Sequence, residues 1–162
     1  MESNTTITIG SNSMAKDTDF AAFADDVHSL LRGELSAIEA YEMVLESLDN
    51  QVERDRIMEF LLNHQEAANY WTSVLVNQSI KPDSSSGPWG QFVKAFTASA
   101  KLLGNPAALE ALKQGEEHGL NEYESALENG KLTRRMEQVV RDKFIPLQRR
   151  HIMSIESMKA LR

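Results

Sequence analysis

GELSAIEAYEMVLE (Gly33–Glu46) and GEEHGLNEYESALE (Gly115–Glu128) align without a gap, and six of their fourteen positions are identical. The shared pairs are Gly33/Gly115, Glu34/Glu116, Tyr41/Tyr123, Glu42/Glu124, Leu45/Leu127 and Glu46/Glu128. Such density points to a chain built of two related halves. In each copy the Glu lies one heptad before the Tyr, on the apolar stripe of a helix. Glu34 falls between Leu30 and Tyr41, and Glu116 between Leu112 and Tyr123. Both carboxylates are therefore expected to point inward.

Working outward, the apolar positions from Thr18 recur at helical spacing (Phe20, Phe23, Val27, Leu30, Ala37, Tyr41, Leu45, Leu48) and predict a first helix ending near Asp49-Asn50. A second helix is expected from about Gln51 to Gln78, antiparallel to the first because the turn between them is short. Breakers gather in KPDSSSGPWG, followed by a shorter amphipathic segment from Trp89 to about Leu103. Asn105 as N-cap and Pro106 at the first helical position open a third helix, which stops at Asn129-Gly130. Thr133 caps a fourth, in which Pro146 is expected to remove a hydrogen bond and kink the axis. A connection long enough to run the bundle's length makes this an all-α four-helix bundle over residues 18–162: two antiparallel hairpins joined by a long crossover carrying a short extra helix. Residues 1–17, rich in Ser, Thr and Asn, read as a disordered tail.

The partner helices carry His64, between Leu61 and Trp71, and His151, between Leu147 and Ile155, so both imidazoles also face the core. Counted from the first turn, Glu34 and His64 lie at one height, whereas Glu116 and His151 are offset by several residues. Buried carboxylates cost several kcal/mol each unless partnered. Three solutions are open: a divalent metal on carboxylate and imidazole ligands, a metal-free network with a protonated His and Tyr hydroxyls, or a neutral Glu of raised pKa.

Composition narrows the rest. With 24 acidic against 17 basic residues the net charge is −7, which disfavours nucleic acid and anionic membranes and suits cationic ligands. Cysteine is absent, so a metal site must use Glu, Asp and His. No signal peptide or bilayer-length apolar run is apparent, and the expected location is the cytoplasm. His28, His118 and the acids Glu39, Glu42, Glu46, Glu66 and Glu117 read mainly as solvated faces. Arg149 and Arg150 read as surface ion pairs, and Trp71 and Trp89 as core or interface anchors, the latter on a segment suited to forming a homodimer.

These motifs resemble the ferritin, bacterioferritin and rubrerythrin superfamily. More closely, SGPWGQFVKAFTASAKLLGNPAALEALKQGEEHGLNEYESAL and PLQRRHI are similar to a bacterial group of small ferritin-like proteins classified as a domain of unknown function. The resemblance implies a di-iron ancestry, with a Glu from each of two helices and Glu-x-x-His from each of the others. Glu34 and Glu116 match the terminal ligands, Tyr41 and Tyr123 the Tyr one heptad later, and His64 and His151 the motif histidines. Leu61 and Gln148 stand where the bridging Glu residues would be. The resemblance thus implies two separate half-sites, Glu34 with His64 and Glu116 with His151, with Tyr41, Tyr123 and Gln148 as surrounding hydrogen-bond partners. Two carboxylates neutralise one divalent ion (iron, manganese or zinc) rather than two. Weakened oxidase or peroxide-handling chemistry is the activity implied; the alternative is a non-catalytic, metal-free bundle with a buried Glu–His–Tyr network.

Overall fold

The computed structural model describes residues 11–87 and 105–161, and its regular structure is entirely helical there. Helix α1 spans Ser11–Leu45, α2 Gln51–Asn77 and α3 Asn105–Glu128. The fourth bundle helix comprises α4 (Arg134–Val139), a π-helical turn (Val140–Phe144) and α5 (Ile145–Ala160). Residues 1–10 and the segment from Trp89 to Leu103 fall outside the described residues. Among those described, no helix is long and apolar enough to cross a membrane.

Most boundaries follow local chemistry. The Asn50 side chain accepts from the Glu53 N–H at 3.2 Å and starts α2, while Thr133 accepts from the Met136 N–H and starts α4. Gly130, at φ +64°, follows the end of α3. Two boundaries differ from expectation. α1 begins at Ser11 rather than Thr18, so the second part of the expected tail is helical, and it ends at Leu45 rather than near Asp49. The early ending has a visible partner: the Arg54 guanidinium reaches back from α2 and donates to the carbonyls of Leu45 and Leu48, filling acceptors that another helical turn would have used.

The fourth helix corrects another expectation. Pro146 does not interrupt a regular α-helix; it lies in the first turn of α5, immediately after the π turn, where the Ile145 N–H donates to the Val140 carbonyl. The wider turn absorbs the position at which an N–H is missing.

Side-chain links fix the order of the helices. Glu34 meets Tyr123 and Tyr41 meets Glu116, so α1 and α3 are antiparallel. Lys159 reaches Glu110 and Arg149 reaches Glu124, so α3 and α5 are antiparallel as well. Because α1 and α2 form a hairpin, α2 and α3 run in the same direction. The chain leaving α2 lies along α1: Asp83 pairs with His28 and Arg32, and Ser86 donates to Glu39.

Two apolar layers fill the interior. One holds Val27, Leu31, Trp71, Leu75, Val140 and Phe144; the other holds Tyr41, Leu45, Ile57, Phe60, Leu109 and Ile155. Between them lie Glu34, His64, Glu116, Gln148 and His151, all buried. The core is thus interrupted at mid-height by a polar layer. Replacing Asn50 by Ala is expected to cost about 1 kcal/mol through the lost α2 cap; a urea midpoint unchanged from the parent would contradict this role.

Candidate metal centre

Each bundle helix contributes to the polar layer. Glu34 and Tyr41 come from α1, His64 from α2, Glu116 and Tyr123 from α3, and Gln148 and His151 from α5. His64 is the central link: Nδ1–H donates to Glu34 Oε2 at 2.7 Å and Nε2–H to Glu116 Oε1 at 2.9 Å. His151 Nδ1–H donates to the same Glu116 oxygen at 3.1 Å. The tyrosines cross between the repeats, Tyr123 donating to Glu34 Oε1 at 2.5 Å and Tyr41 to Glu116 Oε1.

This geometry brings both expected Glu–His pairs together, but they are not separate half-sites. His64 joins the two carboxylates into one chain. The height offset expected for Glu116 and His151 does not keep them apart: they meet at 3.1 Å. Gln148, standing where the resemblance implies a bridging carboxylate, faces Glu116. With its amide nitrogen turned toward that residue it donates to the Glu116 backbone carbonyl at 3.2 Å and to Oε2. A Cβ at Gly119 would approach the end of the Gln148 amide turned away from Glu116 to 3.0 Å, so glycine there leaves the amide its place.

Two contributors were not singled out from the sequence. Asn63 Nδ2 donates to His151 Nε2 at 3.1 Å, and Trp71 Nε1 donates to the Tyr123 hydroxyl at 3.1 Å. Trp71 carried only the signal of a core aromatic. Asn63 adjoins His64 on α2, and only the approach of α5 gives it a partner. The remaining candidates lie elsewhere: Glu39 accepts from Ser86, Glu117 pairs with Lys113, and Arg149 and Arg150 pair with Glu124 and Glu59.

Electrostatics follow from placing these groups at hydrogen-bond distance in a buried layer. Burial opposes a charged imidazole, but Glu116 and Glu34 on either side outweigh it, and the His64 pKa rises from 6.5 to about 10. Burial would likewise push Glu116 up, yet His64 and His151 outweigh it and hold its pKa at about 2. Tyr41 and Tyr123 are raised well above the usual phenol value by burial, with Glu116 and Glu34 respectively adding to the effect.

The atoms able to hold an ion are more restricted than the sequence-derived set. One ligand atom from each of His64, Glu116 and His151 lies within 4.8 Å of the other two. Glu34 stands on the opposite nitrogen of His64, where it orients the ring. Asn63 occupies the equivalent place on His151. A polar partner on the far nitrogen is the usual support of a metal-binding imidazole. Bonds of about 2.0–2.2 Å place neighbouring ligand atoms roughly 3.0–3.5 Å apart, close to the separations of 2.9 and 3.1 Å found here. Two imidazoles and one carboxylate are a donor set that can hold a divalent ion. With an ion held there, the two inward-facing nitrogens would be without protons, and the Asn63 amide, once turned, would accept from His151 Nε2–H.

No protein-family profile, curated protein or solved structure matches the chain.

The pH dependence of the chelator-treated protein should follow the two shifts. His64 is raised, so its stabilising contribution is complete below about pH 6.5 and disappears as pH rises through about 10. Glu116 is lowered, so its contribution is complete above about pH 4.5 and disappears as pH falls through about 2. Urea unfolding is expected to show greater stability at pH 6 than at pH 9, with the difference much reduced in His64→Leu; equal pH dependence in both proteins would contradict the assignment.

Proposed function

We propose that this chain is a ferritin-like helical protein that binds one divalent ion, iron, manganese or zinc, on His64, Glu116 and His151. The observation carrying this reading is the convergence of two imidazoles and one carboxylate, with Glu34 and Asn63 behind the two rings. This donor set suits ferrous iron or zinc, and its hard carboxylate also accepts manganese. Charge supports a single ion, since a divalent cation replacing the His64 proton balances Glu34 and Glu116. The helix directions support the ferritin-like arrangement: α2 and α3 run the same way, which calls for a connection returning along the bundle. A bound ion would supply Lewis acidity and, for iron or manganese, a redox couple. Glu34 and Asn63 would hold the two imidazoles in orientation, while Tyr41 and Gln148 would fix the carboxylate rotamer.

Protein purified without chelator is expected to carry close to one ion per chain by elemental analysis. Ferrous iron, manganese or zinc should raise the melting temperature of the stripped protein, and His151→Ala should abolish the increase. A metal-free preparation with no stabilisation by any of the three ions would overturn this reading.

A second reading, a metal-free structural module, is favoured by one specific observation: each buried side-chain polar atom of the layer has at least one hydrogen-bond partner. Among the described residues, the buried side-chain atom without a partner is Asp26 Oδ2, outside this layer. On this reading the linked unit is Glu34–His64–Glu116 rather than one Glu–His pair. His64→Leu alone should then cost about 3–5 kcal/mol by leaving two facing carboxylates without their cation, whereas Glu34→Leu/His64→Leu/Glu116→Gln should recover most of the loss. Urea unfolding of the two proteins tests this; equal destabilisation would count against a self-sufficient network.

A further inference from the structure

The repeated glycines have no role in the polar layer, yet Gly33 and Gly115 occupy equivalent positions in the two copies. Glycine inside a helix costs about 1 kcal/mol relative to alanine, and crowding does not explain it here. A Cβ built at either position meets nothing within 4 Å among the described residues. Both line a cavity of about 220 Å³ between α1 and α3. A space of about 150 Å³ is enough to hold a benzene ring.

The walls of this cavity are predominantly apolar, formed in part by Leu30, Ala37, Ala40, Val44 and Leu112, and its lining also reaches Glu34, Glu116, Tyr41 and Tyr123. The tyrosine hydroxyls are already committed as donors to the carboxylates. Glu34 accepts one hydrogen bond on each oxygen, leaving a lone pair on each; an ionised carboxylate offers about four acceptor sites. The polar end thus offers acceptors, the carboxylates of Glu34 and Glu116 among them. A hydrogen-bond donor, best of all a cationic one, complements it.

We infer that the α1–α3 cavity is a binding site for a compact apolar amine, its hydrocarbon or aromatic body between the helices and its ammonium group toward Glu34. The two glycines keep the volume free that side chains would fill. The inference does not depend on a bound metal, and chelator-treated protein separates the two.

Benzylamine provides the test, with toluene matching its body without the donor and benzoate reversing the charge. For an eight-heavy-atom ligand a roughly millimolar Kd is expected. At ten times Kd the melting temperature should rise by about 3–5 °C, with smaller effects from toluene and none from benzoate. Gly33→Leu and Gly115→Leu should each weaken benzylamine binding at least tenfold in calorimetry. Gly33→Ala and Gly115→Ala, which raise helix propensity, provide the same comparison if leucine prevents folding, with a smaller but measurable loss. No binding of benzylamine, or unchanged affinity in the folded glycine variants, would overturn the site. Benzoate binding as tightly as benzylamine would overturn the ligand class.

Discussion

The Glu116 carboxylate ties the bundle together. It sits on α3 and is hydrogen-bonded by Tyr41 from α1, His64 from α2, and His151 and Gln148 from α5. One anion thus engages every other helix in a region removed from water. Its desolvation is offset only while those donors converge, which makes relative helix position a condition of its burial. Apolar layers on either side provide most of the attraction between helices but tolerate small slides. The polar layer does not, because displacement by one turn would separate a charge from its partners. Attraction and alignment are therefore supplied by different parts of the same core.

The exchange of partners between the two similar segments gives this constraint a symmetry. Tyr41 serves the carboxylate of the second copy and Tyr123 that of the first. Each copy leaves its own Glu without the Tyr one heptad away, so neither hairpin completes its polar environment alone. The histidines break the symmetry. His64 touches both carboxylates, while His151 touches Glu116 and is held on its other nitrogen by Asn63. Two similar segments thus meet in an asymmetric centre, which brings His64, Glu116 and His151 together and leaves Glu34 on the far nitrogen of His64.

Much of the helical framework was legible in the sequence because caps and apolar periodicity are local signals. Asn50, Thr133 and Gly130 mark real boundaries, and the stripe through Leu30, Glu34 and Tyr41 identified an inward-facing carboxylate. The pairing within the site was less legible. Nothing local to Tyr41 says that it reaches Glu116 rather than Glu34, since that depends on the antiparallel packing of distant helices. Asn63 was hidden for a similar reason. Its side chain acquires a role only when α5 presents His151, and adjacency to His64 gave no periodic signal. The early end of α1 depended on another nonlocal event, the return of Arg54 to the carbonyls of Leu45 and Leu48.

The π turn at Val140–Phe144 also bears on how the fourth helix tolerates changes in length. Every residue added to a regular α-helix advances the side chains beyond it by about 100°. A surplus residue between the Thr133 cap and His151 would swing that imidazole toward solvent and carry Gln148 with it. A wider turn confines the angular surplus to one short stretch and lets the downstream face return to the core. Val140–Phe144 is thus placed to act as an angular compensator, upstream of the face on which Gln148, His151 and Ile155 are buried.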